Sequence, residues 1–174
     1  VACTHGILKL LNDHELKGVI AHELAHVKNR DILISSVAAV IAGAIGYLAS
    51  MAQWAAIFGG FGGRDSDDGG NIFSLIILAI LTPILATLIH LAISRSREYQ
   101  ADASGAKFLR DPHGLASALE KLHQEGRKHP MHLGNESTAH LMIMNPFSGR
   151  ALMRWFSTHP EAHERIKRLR NMQF

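Results

Sequence analysis

The sequence predicts a mainly α-helical protein in which a hairpin of two apolar helices lies between two polar, helical parts of one domain. Charged side chains are absent from residues 32–63 and again from residues 71–94. A helix needs about 20 predominantly apolar residues to cross a hydrocarbon core, so each run is long enough to span a membrane. The flanking parts contain most of the charge and show apolar residues at helical spacing, and little β-structure is expected in them.

The domain organisation follows from this division of charge. The predicted parts are a first polar part, residues 1–31, a membrane hairpin, residues 32–94, and a second polar part, residues 95–174. Within the hairpin, the spans are expected at residues 32–58 and 71–94, and the segment GGFGGRDSDDGG between them is a short, acidic, glycine-rich loop. Pro83 lies inside the second span, where a membrane helix tolerates proline better than a soluble helix does.

Basic residues beside the hairpin predict its orientation. Lys28 and Arg30 precede the first span, and Arg95 and Arg97 follow the second. The positive-inside rule therefore places both ends of the hairpin in the cytoplasm and the acidic loop outside, with the lipid bilayer as a partner. The basic tail contains no nucleic-acid-binding motif, so a nucleic-acid partner is not expected. Cys3 is the single cysteine, which excludes a disulfide within the chain.

Local signals predict the remaining elements. The opening segment VACTHGILKLL is expected to form a short strand. Asn12 is expected to cap a helix over residues 13–30, because Glu15 stands at the capping-box position. The second membrane helix is expected to continue to about residue 109. Further helices are predicted to begin near residue 111 and to cover residues 148–157 and 160–172.

The most informative motif is H-E-x-x-H, formed by His22, Glu23 and His26. Residues four apart on a helix differ by about 40° around its axis, so both imidazoles point the same way and can chelate one zinc ion. Glu23 then lies beside the metal without binding it, placed to take a proton from the water at the metal. The alternative is a surface helix with two solvated histidines.

A catalytic zinc site needs a third protein ligand. The segment SRSREYQADASG offers Glu98 and Asp102, which are also four residues apart. His26 precedes the first span by six residues and Glu98 follows the second by four, so a hairpin returns the two to similar heights. We therefore expect Glu98 to be the third ligand and Asp102 to hydrogen-bond a ligand imidazole. The alternative is that both carboxylates form surface ion pairs with Arg95 and Arg97.

Four segments together resemble the HtpX family of membrane-embedded zinc metalloproteases, which is related to the CAAX prenyl proteases. They are AHELAHVKNRD at 21–31, SRSREYQADASGAKF at 94–108, NPFSG at 145–149 and THPEAHERIKRL at 158–169. The resemblance implies a zincin-like metalloprotease domain with one zinc ion per chain, held by His22, His26 and Glu98, with Glu23 as the catalytic glutamate. It also implies a multi-pass protein of the bacterial inner membrane, with its active site facing the cytoplasm, that cleaves misfolded or damaged membrane proteins.

The expected reaction is peptide-bond hydrolysis with Glu23 as general base. A second donor usually helps to stabilise the charge on the scissile carbonyl oxygen. His159 is the first candidate for this catalytic role, and Arg165 is the cationic alternative. Two other functions are weighed against this one. They are a zinc-stabilised membrane scaffold without catalysis, and a protease that cleaves inside the bilayer.

Overall fold

The computed structural model describes residues 1–59, 69–128 and 162–174, and the part of the chain within these ranges is α-helical. The helices are α1 (His5–Leu10), α2 (Asp13–Lys28), α3 (Asp31–Gly59), α4 (Gly69–Leu109), α5 (His113–Lys128) and α6 (Ala162–Arg170). They form two compact units, one of Val1–Ile32 with Ser94–Phe174 and one of Leu33–Ile93. The mainly α-helical class predicted from the sequence is confirmed. The predicted helix at 148–157 and His159 lie outside the described residues.

The predicted opening strand is wrong, because its second half forms helix α1. Thr4 is extended and its side-chain oxygen accepts a hydrogen bond from the backbone N–H of Ile7, which is the arrangement of a helix N-cap. Ile7 and Leu10 then pack against the core of the first unit. Ile7, Leu10 and Leu11 therefore face the core at a helical spacing, while Leu8 is exposed, and this is not the alternating pattern of a strand.

Helix α2 begins as predicted and ends earlier than predicted. The Asn12 side chain accepts a hydrogen bond from the Glu15 N–H, and the Glu15 carboxylate accepts one from the Asn12 N–H, which completes the capping box. At the other end, α2 stops at Lys28 instead of continuing to residue 30. Arg30 has a φ of 55°, in the left-handed region, so the chain turns there before α3 begins at Asp31.

The second unit consists of the apolar parts of α3 and α4. Residues Asp31–Ala55 are long and apolar enough to cross a membrane, and none of the most apolar window is buried. Large apolar side chains of α3, among them Val40 and Tyr47, are exposed. A soluble core helix would bury these groups, so the exposure favours contact with lipid. In α4, the Thr87 hydroxyl donates to the carbonyl of Pro83 at 2.8 Å, one turn earlier in the helix.

The core of the first unit lies between α2, α5 and α6. Its buried side chains include Val19 of α2, Leu115 and Leu119 of α5 and Leu169 of α6. Gly18 allows the close approach of α2 and α5, because a Cβ at this position would lie 2.5 Å from the backbone nitrogen of Leu115. This packing fixes α2, the helix that contains the H-E-x-x-H motif, within the polar unit.

A buried carboxylate reinforces the same helix contact. Glu15 accepts hydrogen bonds from the Ser117 hydroxyl at 2.6 Å and from the Lys121 ammonium at 2.8 Å, both in α5. Burial opposes its ionisation, but these hydrogen bonds and the one from Asn12 outweigh burial and lower the pKa of Glu15. Glu15 therefore caps α2 and also ties it to α5.

Candidate metal centre

The two histidines of the motif face each other on one side of α2. The Nε2 atoms of His22 and His26 are 3.1 Å apart, and their rings meet edge to face with centroids separated by 4.6 Å. His22 is only 1% exposed, whereas His26 is partly open to solvent. The i, i+4 spacing accounts for this pairing, because it brings both side chains to the same face of the helix.

Helix α4 brings a carboxylate to this pair of imidazoles. The Glu98 Oε2 atom is 3.6 Å from Nε2 of His22, and its Oε1 atom is 3.7 Å from Nε2 of His26. Potential ligand atoms of the three side chains all lie within 4.8 Å of one another. Among the described residues, this is the group of histidine, cysteine and carboxylate side chains with the geometry of a metal site.

A separate carboxylate contacts the other nitrogen of each imidazole. Asp102 Oδ1 lies 3.0 Å from Nδ1 of His22, and Asp31 Oδ2 lies 2.7 Å from Nδ1 of His26. An ionised carboxylate accepts hydrogen bonds and cannot donate them, so each partner favours the imidazole tautomer with the proton on Nδ1. Both Nε2 atoms are then unprotonated and able to bind a metal ion.

This donor set fits a zinc ion. With both Nε2 atoms unprotonated, two lone pairs meet at 3.1 Å, and a cation between them would relieve their repulsion. Two nitrogens at zinc–nitrogen distances in a tetrahedral site are roughly 3.3 Å apart. Two histidines and one glutamate leave the fourth position open, which is the composition of a catalytic rather than a structural zinc site.

Arg165 of α6 contacts the metal centre from its buried side. Its Nε and Nη2 atoms donate to the two oxygens of Asp102 at 2.8 and 2.7 Å, and its Nη1 atom is 3.1 Å from Oε2 of Glu98. Burial opposes ionisation of both Asp102 and Arg165, but the hydrogen bonds and opposite charges of the pair outweigh burial. The pKa of Asp102 is lowered to about 2, chiefly by the Arg165 hydrogen bonds and then by His22, and the pKa of Arg165 is raised.

The backbones of α2 and α4 are unusually close beside the metal centre. A Cβ atom at Gly105 would lie 2.9 Å from the backbone nitrogen of His22 and 3.1 Å from its Cα atom. One residue earlier in α4, the Ser104 hydroxyl lies 3.3 Å from the side-chain amide nitrogen of Asn29. Glycine at position 105 therefore permits the approach that brings Glu98 and Asp102 to the histidines.

The other predicted site residues have different surroundings. Glu23 is partly exposed and follows His22 directly, but it does not belong to the group of converging ligand atoms. The predicted alternative placed Glu98 and Asp102 at the surface, but the structure buries both side chains. Both carboxylates are buried against Arg165, and Arg97 lies 3.4 Å from Asp31.

From the sequence, Asp31 is a candidate either to cap the metal-binding helix or to contact a metal ligand, and the structure shows a contact with His26. The signal was present in the order Asn29, Arg30, Asp31, where a carboxylate follows the metal-binding helix by a few residues. Choosing the contact with a metal ligand required knowledge that the chain turns at Arg30, between α2 and α3. The pairing of Arg165 with Asp102 joins residues 63 apart, and no local pattern indicates it.

These features define a helical metallopeptidase domain of the H-E-x-x-H class. The chain matches Peptidase family M48 over residues 1–173, and it belongs to that family. It is similar to proteins named Protease HtpX homolog, 58% identical to one from Syntrophotalea carbinolica over 99% of this chain and 61% of that protein. Identity is 57% to one from Thermococcus kodakarensis, over 99% of this chain and 59% of that protein.

A third relative of the same name, from Aquifex aeolicus, is 51% identical over 97% of this chain and 57% of its own length. The chain therefore spans between 57 and 61% of the length of these relatives. No solved structure matches this chain significantly.

Proposed function

We propose that this chain is the metal-binding part of a membrane-bound zinc endopeptidase that hydrolyses peptide bonds in misfolded or damaged membrane proteins. The observation that supports this function best is the convergence of His22, His26 and Glu98, with Glu23 adjacent and outside the ligand set. A structural zinc site normally has four protein ligands. Three ligands with a glutamate beside them favour catalysis over a scaffold role.

In the proposed mechanism, His22, His26 and Glu98 would hold one zinc ion, and Glu23 transfers the proton. A bound zinc ion supplies Lewis acidity, which polarises the scissile carbonyl and lowers the pKa of water. Glu23 takes a proton from the attacking water and gives it to the leaving nitrogen of the substrate. Partial exposure of Glu23 is consistent with this role, since the group must meet both water and substrate.

Arg165 is better assigned to positioning than to contact with substrate. It is 1% exposed, and its guanidinium is engaged by Asp102 and Glu98. We therefore propose His159 as the second donor to the carbonyl oxygen. In this assignment, His159→Phe lowers turnover sharply at constant zinc content. Unchanged turnover would remove His159 from the mechanism.

The membrane location is proposed from two features of the chain. Helix α3 exposes its apolar side chains, and basic residues lie at both ends of the predicted hairpin. These features support a multi-pass protein of the bacterial inner membrane whose active site faces the cytoplasm.

Substrate cleavage is proposed outside the bilayer. The ligand atoms are surrounded by the charged groups of Asp31, Asp102 and Arg165, and α2 ends before the apolar helix begins. Mapped cut sites inside the spans of a membrane substrate would instead support intramembrane cleavage.

The decisive experiment compares the full-length protein in detergent with its Glu23→Gln variant, using an unfolded membrane protein as substrate. Turnover is expected to fall by orders of magnitude while zinc content stays the same, because glutamine cannot accept the proton. Glu125→Gln, which alters a carboxylate on α5, is the matched control and is expected to cleave normally. Equal cleavage by the wild-type protein and Glu23→Gln would rule out this mechanism, and zinc binding without cleavage by either would favour the scaffold.

A further inference from the structure

We propose that Asp31 is a positioning residue of the metal centre, and that the break between α2 and α3 serves to bring its carboxylate to His26. The inference rests on the proposed zinc site and does not depend on turnover. Asp31 Oδ2 lies 2.7 Å from Nδ1 of His26, and Asp31 is only 6% exposed. Its other oxygen, Oδ1, is 3.4 Å from Nη1 of Arg97 in α4.

An unbroken helix would not make this contact. Residues five apart on a straight α-helix are rotated by roughly 140° and separated by about 7.5 Å along the axis, so residue 31 would point away from residue 26. In the structure, the N–H of Asn29 still bonds to the carbonyl of Ala25, and the N–H of Arg30 bonds to the carbonyl of Val27. The chain then turns at Arg30, whose φ is 55°, and the Asp31 carboxylate contacts the imidazole.

The turn has an energetic cost. Arg30 adopts a φ of 55°, and a left-handed conformation costs a residue with a Cβ atom roughly 1–2 kcal/mol. Strained backbone of this kind persists where the surrounding contacts determine the conformation. Here those contacts include the short hydrogen bond between Asp31 and His26 and the neighbouring Arg97 guanidinium.

The simpler explanation is that Asp31 only provides negative charge for the first turn of α3, where an acidic residue is favoured. Such a residue needs no contact with an imidazole and no burial. Asp31 has both, and it accounts for the tautomer of His26 in the same way that Asp102 accounts for that of His22. The first residue of the apolar helix thereby sets the orientation of a metal ligand.

Asp31→Asn separates the two explanations. Asparagine is similar in shape and is well tolerated at helix N-termini. Its amide NH₂ is a donor, so it can bond to an unprotonated Nδ1 and favour the tautomer with the proton on Nε2, which blocks metal binding. We expect Asp31→Asn to weaken zinc binding 10- to 100-fold, the usual effect of losing a carboxylate behind a ligand histidine.

The test uses the full-length protein in detergent, stripped of metal and titrated with zinc against a chromophoric chelator. Asp31→Glu is expected to restore part of the lost affinity, since it keeps an acceptor-only group. Asp13→Asn alters an exposed acidic residue in the first turn of α2 and is the matched control, with unchanged affinity. Nitrogen-15 chemical shifts of His26 in the metal-free protein provide the second readout, with a change of tautomer expected only in Asp31→Asn.

Variants at Arg30 test the break itself and remain informative if Asp31→Asn does not fold. Arg30→Gly accepts a positive φ and is expected to keep the zinc affinity of the wild-type protein. Valine at position 30 disfavours a positive φ, so the Arg30→Val variant is expected to bind zinc more weakly. Equal affinity of Asp31→Asn and the wild-type protein, or of Arg30→Val and Arg30→Gly, would overturn the inference. A wild-type protein that binds no zinc would contradict the proposed function instead.

Discussion

Arg165 and Asp102 form a bidentate ion pair that is almost completely shielded from solvent. Two nitrogens of the guanidinium contact the two carboxylate oxygens at 2.8 and 2.7 Å, although the residues are 63 apart in the sequence. The same guanidinium also approaches Glu98. Beside this pair, Arg168 of α6 stacks on the ring of Tyr99 at 3.8 Å. Helix α6 is thus held against the segment of α4 that contains the carboxylates of the metal centre.

Replacing Arg165 with methionine should be strongly destabilising. Removing one partner of a buried ion pair leaves the other charge unpaired in the interior, which typically costs about 3–5 kcal/mol. Denaturant unfolding of the metal-free protein measures this change in the free energy of unfolding. Arg170→Met, on the same helix but with an exposed partner, Glu120, is the control and should cost less than about 1 kcal/mol. Similar losses for the two variants would contradict the predicted role of Arg165.

Replacing Gly105 with alanine should separate α2 from α4. The added methyl group meets backbone atoms of His22, which cannot rotate away, and overpacking of this kind costs about 1–3 kcal/mol. Zinc affinity should fall as well, since Glu98 moves with α4. The matched control is Gly126→Ala in α5, where the new Cβ has no neighbour within 4 Å. That change should stabilise the protein by about 0.5–1 kcal/mol through helix propensity. A Gly105→Ala variant with normal zinc affinity would refute this account of the close approach.

Asp102 should make the stability of the metal-free protein fall in acid. Its pKa is about 2 in the folded state, below the ordinary value of 3.8, so its contribution is present above pH 4. As the pH falls from about 4 to about 2, the unfolded chain takes up a proton first, and about 2 kcal/mol of stability is lost. The measurement is the free energy of unfolding as a function of pH. In Asp102→Asn this part of the slope should be missing, and a slope equal to that of the wild-type protein would count against the pairing.

Removal of the metal should lower the thermal stability reversibly. A ligand that binds only the folded state adds about 2.7 kcal/mol at a free concentration 100-fold above its Kd. Calorimetry in detergent should therefore show a Tm several degrees lower after chelation, with recovery on addition of one equivalent of zinc. His22→Ala should lack this response. A Tm that is insensitive to chelation in the wild-type protein would argue against a bound metal.

Some of this arrangement was accessible from the sequence because it depends on short-range periodicity. The spacing of His22 and His26 was sufficient to predict that they share one helix face, and they do so in α2. The capping box at Asn12 marked the beginning of that helix. Glu98 was expected near the histidines because an antiparallel hairpin returns the chain to its starting level, and its carboxylate does lie beside both imidazoles.

The remaining features depend on interactions that periodicity does not encode. The opening segment was predicted as a strand, but the Thr4 cap and the packing of Ile7 favour a helix. The end of α2 is set by a left-handed residue, Arg30, and not by the glycine or proline that would signal a break. The position of Arg165 follows from the packing of α6 on the first unit, which joins segments far apart in the chain.

The long sequence separation between Asp102 and Arg165 has a consequence for biosynthesis. During translation the donors of α2 and α4 emerge from the ribosome well before α6 does, so the metal centre lacks its buried guanidinium until α6 has been made. An unfinished polypeptide therefore contains an incompletely assembled centre. Order of synthesis alone therefore delays maturation of the centre until residue 165 has left the ribosome.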